Sequence, residues 1–232
     1  MMRQLSDSAL LARAELLWTL RDLTSLATLP GDESRLAAVA AEAAELTAAA
    51  GLDAELAQPL QAAAVAALDV GVAARRIDLA TWDGAATGLD LAESAYVRRD
   101  RGAILGDIAG FYRAFGVQPG GESLRHDELG RELEFLGLLH LFAARARQDA
   151  DAETAETIAA AAAAFWADHL AAWCALPAGR AEVLPVPRWL ATALHALATT
   201  LTALAAANDW PPPQREDGGL ADAEPEVSCA MA

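Results

Sequence analysis

The chain contains no lysine. All 17 of its basic side chains are arginines, and they face 33 acids, for a formal net charge of −16. A sequence pI near 4.5 rules out the basic face that a phosphate backbone requires, so no nucleic acid is expected as a partner. An acidic surface suits solubility, or a basic partner such as an arginine-bearing peptide. Cysteine is nearly as scarce. Cys174 sits in a helical pattern and Cys229 in a polar tail, which excludes a disulfide framework and a cysteine metal site and fits a reducing cytoplasm. Val, Ile and Thr are few and the turn spacing of strands is missing, which excludes an all-β or α/β fold. The N-terminal stretch is broken by Asp7, Arg13 and Glu15, so it holds no continuous apolar export segment. Catalytic signatures are also missing: no glycine-rich phosphate loop, no nucleophile elbow and no H-E-x-x-H. None of His126, His140, His169 and His195 has a Glu three residues before it, as a di-metal helical bundle would need. No cofactor, no metal and no catalysis are expected.

Alanine supplies 60 residues and leucine 35, within a 54% apolar chain. At 24.2 kDa, such a chain can bury about 70% of its unfolded surface without metals or disulfides. The expected fold is all-α: a single-domain helical bundle of about seven main helices over residues 1–208, followed by a disordered acidic tail over 209–232. The helices are expected at about 7–29, 34–50, 53–74, 103–115, 126–147, 153–176 and 187–208, with an irregular stretch over 75–101. Residues 189–208 carry no formal charge and are long enough to cross a bilayer. Leu190, Leu194, Leu197, Leu201 and Leu204 form one stripe, however, so this segment reads as a core helix and no stable membrane insertion is expected.

The fifth helix carries the unusual chemistry. Leu133, Leu136, His140 and Ala143 share one side, widened by Phe135, Leu139 and Phe142. Glu128 and Glu132, one turn apart, project within about 40° of Phe135 and Leu139. Carboxylates beside an apolar sector cost energy unless they are paired. The arrangement therefore reads as an acidic patch at the edge of an apolar groove, shaped for a peptide that carries both arginines and leucines. His140 reads as a satisfied core residue. Trp166, His169 and Trp173 share a helix face and read as core.

Two blocks, Gly106–Gly116 (GDIAGFYRAFG) and Asp127–Leu136 (DELGRELEFL), resemble segments of the TorD/DmsD/NarJ superfamily of molybdoenzyme maturation chaperones. Glu93-Ser94-Ala95-Tyr96 is similar to that family's Y-E-x-x-Y stretch, and Phe165–Trp173 (FWADHLAAW) to its F-x-x-D-H-L-x-x-W helix. The order and spacing of the four agree, over roughly residues 90–205. The form of the first block is most similar to the delta-type chaperones of respiratory molybdenum enzymes. One departure is that Glu128 stands where the family has His in Asp-His, with His126 just before Asp127.

The resemblance implies a cytoplasmic, non-catalytic chaperone. Its expected partner is the precursor of a molybdoenzyme catalytic subunit, bound through its twin-arginine leader, its apoprotein body or both, and held until the client's cofactor is inserted before export. The residues expected to touch the client are Glu93, Tyr96, Asp107, Tyr112, His126, Asp127, Glu128, Glu132 and Glu134. Carboxylates among these can pair with guanidinium groups in bidentate fashion. A monomer or homodimer is expected. The alternative is a helical-bundle small-molecule or metal-binding protein, or an enzyme, with a pocket built on His140 and Glu132.

Overall fold

A computed structural model describes residues 5–25, 32–84, 86–118 and 125–214. These residues form one all-α domain, in which nine α-helices are described: α1 Asp7–Thr24, α2 Asp32–Ala49, α3 Ala57–Val70, α4 Val72–Trp82, α5 Arg101–Ala114, α6 Leu129–Gln148, α7 Ala152–Phe165, α8 Leu176–Val183 and α9 Arg188–Asn208. Short polar side chains set several starts. Ser6 Oγ accepts from the Ala9 amide, Asp100 from that of Ala103 and Asp151 from that of Thr154.

The helix count exceeds the expected seven at two places. The expected third helix breaks at Gly71, whose φ of 78° suits glycine and few other residues. α4 then runs on at 103° to the preceding segment, through part of the stretch expected to be irregular. The expected sixth helix ends at Phe165. Residues Trp166–Leu170 widen into a π-turn, in which the Ala171 amide donates to the Trp166 carbonyl at 2.8 Å. Pro177, just past the expected end of the sixth helix at 176, instead sits in the first turn of α8. Gly116, with φ of 64°, ends the α5 segment as its sequence suggests.

α1 and α6 form the central pair, with α7 against α6 and α3 against α9. Leu16, Leu17, Leu20 and Leu23 of α1 and Leu133, Leu136 and Leu139 of α6 are all buried. Close approach of α1 to α6 depends on glycine: a Cβ on Gly137 would lie 2.4 Å from Trp18 Nε1, and one on Gly130 would lie 2.6 Å from Ser25 Cβ. Arg13 of α1 is buried in this core. Its Nε donates to the Ala50 carbonyl at 2.9 Å and its Nη1 to Asn208 Oδ1 at 2.7 Å, which joins α1 to the ends of α2 and α9. Burial lowers the Arg13 pKa to about 10.

α9 is long and apolar enough to cross a membrane, and the five leucines of its stripe are all buried inside the protein. The chain beyond α9 starts out ordered, where the sequence suggested a disordered tail from residue 209. Trp210 stacks on Trp166 with centroids 5.5 Å apart, Trp166 Nε1 donates to the Pro211 carbonyl at 2.8 Å, and the Gln214 amide donates to the Ala171 carbonyl at 2.8 Å. The rest of that tail, with Cys229, lies outside the described residues, as does the loop over 119–124.

Candidate functional site

Between α4 and α5 the chain folds back on itself. Asp83 Oδ1 accepts from the Leu91 amide at 2.8 Å, and Asp90 Oδ1 from the Ala92 amide at 3.1 Å, an Asx turn. A 3-10 turn at Glu93–Ala95 follows. This segment pairs with the residues just before α6: an antiparallel bridge joins Ala92 to Glu128, the Glu93 amide donates to the Asp127 carbonyl at 2.8 Å, and the Leu129 amide donates to the Leu91 carbonyl at 2.7 Å. The bridge brings two stretches some 35 residues apart in the chain into register and places three acids in the interior.

Glu93, Asp127 and Glu132 are all at 0% exposure. Glu93 Oε2 accepts from His169 Nδ1 at 2.9 Å, and His169 is equally buried. Asp127 Oδ2 accepts from Ser94 Oγ at 2.5 Å, with Arg101 Nε 4.0 Å away. Neither oxygen of Glu132 meets a partner at good hydrogen-bonding geometry. Burial, and then the charges of Glu93 and Asp127, push the Glu132 carboxyl well above the usual carboxylate range. A polar centre of this kind is costly unless its charges are compensated.

Aromatic rings wall the cluster. Phe111 packs edge-on against Phe165 at 5.2 Å and His169 at 5.7 Å, Phe135 lies 4.9 Å from Phe165, and Tyr96 stacks on Trp173 at 5.8 Å. The π-turn carries His169 into this wall. π-turns occur often at functional sites.

The sequence-selected residues divide into three groups. Glu93, Asp127 and Glu132 come together, and Tyr96 joins them from the surface side, its hydroxyl donating to the Asp90 carbonyl at 2.9 Å. Tyr112, His126 and Glu128 lie around them. Tyr112 is buried against Phe135 at 4.7 Å, its ring meets His126 at 5.8 Å, and its hydroxyl donates to the Arg131 carbonyl at 3.3 Å. Glu128 turns toward α1, where Ser25 Oγ donates to it at 3.2 Å; burial and the charge of Asp83 raise its pKa. Asp107 and Glu134 stand apart. Asp107 is exposed and pairs with Arg99, whose hydrogen bond lowers its pKa, while Glu134 pairs with Arg131 at 3.3 Å.

The expected acidic rim on an apolar groove is therefore corrected. Glu132 lies in the core, with Glu93, Asp127 and Trp173 around it, and Glu128 lies at an internal contact with Ser25 of the α1 end, bridged to Ala92. His140 is the core histidine the sequence suggested, its Nδ1–H donating to the Leu136 carbonyl at 2.9 Å. His140 and Glu132 do not share a pocket: eight residues along a helix separate them by about 12 Å. Sequence reasoning missed Ser94, Arg101 and the pairing of His169 with Glu93. The only signal for the last was the Asp168-His169 dipeptide of the matched helix.

The opening nearest the cluster is a cavity of about 630 Å³. Tyr96, Ser94, Asp90, Arg101, Arg125 and Arg180 line it, so it carries charge of both signs. Among the described residues, no group of three or more His, Cys, Asp or Glu side chains is arranged to hold a metal ion.

The model of the nitrate reductase delta subunit family matches residues 84–177. That segment is similar to the delta subunit family over less than half of the chain. The family lies within the TorD/DmsD/NarJ superfamily, and its general role is molybdoenzyme maturation as a chaperone of the catalytic subunit. The delta-subunit segment runs from the fold-back loop through α5, α6, α7 and the π-turn into α8, and so contains every acid of the cluster, His169 and Trp173. No curated protein and no solved structure matches the chain.

Proposed function

We propose that the chain is a non-catalytic, cytoplasmic chaperone that binds the precursor of a molybdoenzyme catalytic subunit by its twin-arginine leader and holds it back from export until the cofactor is in place. The observation that carries this reading is a coincidence of position. The matched segment contains the buried acids and every residue that lines the nearby cavity except Arg180.

The client guanidinium is read as entering at the cavity rather than at Glu132. Asp90 is a carboxylate of its wall, Asp127 lies buried behind the lining residue Ser94, and Arg101 of the lining, 4.0 Å from Asp127, occupies the place of an incoming guanidinium. A leader arginine that displaces Arg101 gains a charge-assisted bond to Asp127 in a sheltered site. Tyr96, stacked on Trp173 beneath, offers an aromatic face to an apolar neighbour in the leader. Tyr112, His126, Glu128, Glu132 and Glu134 act indirectly in this reading, by holding the 91–94 bridge and the start of α6. Asp107 would contribute only through long-range charge.

The test is calorimetric titration of the chain with a synthetic leader peptide containing Arg-Arg, and with its Lys-Lys counterpart. Saturable binding that Asp127→Asn weakens about tenfold or more, and that the Lys-Lys peptide loses, is expected. Equal affinity of both peptides for the wild type and for Asp127→Asn overturns the reading.

A further inference from the structure

Glu132 sits on α6 with no exposed surface, and both of its oxygens lack a well-formed partner. Glu93 is held on one side only: His169 Nδ1–H takes Oε2, while Oε1 has no partner. The Trp173 indole N–H, also buried, is likewise without a well-formed bond. The groups that bear on Glu132 come from every element around it: Glu93 from the 3-10 turn, Asp127 from the turn before α6, Tyr112 from α5, and Trp173 and Cys174 from the turn after the π-turn. His169 of the π-turn is committed to Glu93, and Arg101 lies toward Asp127. No cation in this set is directed at Glu132. Two ionised carboxyls facing each other in a dry interior repel strongly, whereas one protonated carboxyl becomes a donor to the other.

We infer that Glu132 is held as the neutral carboxylic acid with its proton directed at Glu93, and that this carboxyl pair latches the 91–94 segment onto α6. The segment has few other ties to that helix start: two backbone bonds, Glu93 to Asp127 and Leu129 to Leu91, and the Ser94–Asp127 contact. The latch grips Glu93 from the α6 side while His169 grips it from the π-turn. It is therefore the point at which loss of a proton can loosen the segment that carries Ser94 and Tyr96 of the cavity wall. The burial-raised pKa of Glu132 supports this and fixes the sign. The folded-state pKa stands above that of the unfolded chain, so the contribution is complete below the unfolded value of about 4.3 and is lost as pH rises toward the folded one.

Infrared spectroscopy of the intact chain at neutral pH tests the protonation directly. The carbonyl stretch of a buried protonated carboxyl is expected in the wild type, and it should vanish in Glu132→Gln, which keeps an N–H donor and cannot ionise. Amide hydrogen exchange at Glu93 and Leu129 reads the latch. Between neutral and mildly alkaline pH, exchange in the wild type should accelerate beyond its intrinsic base catalysis, and Glu132→Gln should be slower by about tenfold at the upper end. Absence of a protonated-carboxyl band in the wild type at neutral pH overturns the inference even if the variant does not fold. A band that survives in Glu132→Gln, or equal exchange in both proteins, overturns it as well. No client is needed, so the outcome is independent of the proposed chaperone role.

Discussion

His169 donates from Nδ1 to Oε2 of Glu93 at 2.9 Å, and neither side chain has any exposed surface. The contact spans 76 residues of sequence and ties the fold-back loop to the π-turn. Removing one partner strands the other in the interior. His169→Leu should therefore cost about 3–5 kcal/mol, whereas the double variant His169→Leu/Glu93→Leu should recover part of that loss. Urea unfolding of the two variants checks this. A double variant no more stable than the single one would show that the pair is not the dominant tie.

The crossing of α1 and α6 rests on Gly137. Alanine there would drive a methyl into the Trp18 indole, 2.4 Å from Nε1. The helices must separate or Trp18 must change rotamer and give up its 3.3 Å bond to the Glu134 carbonyl. Gly137→Ala should cost about 1–3 kcal/mol despite the better helix propensity of alanine. A thermal unfolding midpoint unchanged or raised would contradict this packing.

His140 gives a pH dependence of definite sign. Burial lowers its pKa to about 4, below the unfolded value. Its contribution is complete above about pH 6.5 and is lost as pH falls from there toward 4, because the unfolded chain takes up the proton first. The loss amounts to about 3 kcal/mol. Stability measured between pH 6.5 and 4 should fall less steeply in His140→Gln than in the wild type. The Glu132 contribution runs the other way over the same range, and comparing each variant with the wild type separates the two.

Trp210 fixes the chain end after α9. Trp210→Ala removes the stack on Trp166 and the edge contact with His140. The expected cost is about 3 kcal/mol, read by denaturant unfolding, with loss of the near-ultraviolet circular dichroism of the indole pair. An unchanged spectrum would place the tail away from the π-turn.

Much of the architecture was legible because helical period and capping are local. The leucine stripe of α9, the glycine stop at Gly116 and the core placement of His140 all follow from spacing along one helix. The break at Gly71 and the start at Pro177 were misread because glycine and proline each serve more than one role, and tertiary packing selects which. The acids show the sharper difference. Helical phase placed Glu128 and Glu132 correctly beside the apolar sector, but their burial is decided by distant elements: the bridge at Ala92, Ser25 at the end of α1 and Trp173. The Glu93–His169 pair was invisible to periodicity for the same reason: it joins two elements that share no local pattern.

The central claim is that this chain holds a molybdoenzyme precursor through the cavity above the buried acids. The most direct measurement is capture of partners by the tagged chain from cells expressing such enzymes, with mass spectrometry of what is retained and Asp127→Asn run in parallel. The account predicts a molybdopterin-enzyme catalytic subunit with its twin-arginine leader uncleaved, recovered by the wild type and strongly reduced with the variant. Absence of any such subunit from the wild-type capture, while the enzyme is being made, would contradict it.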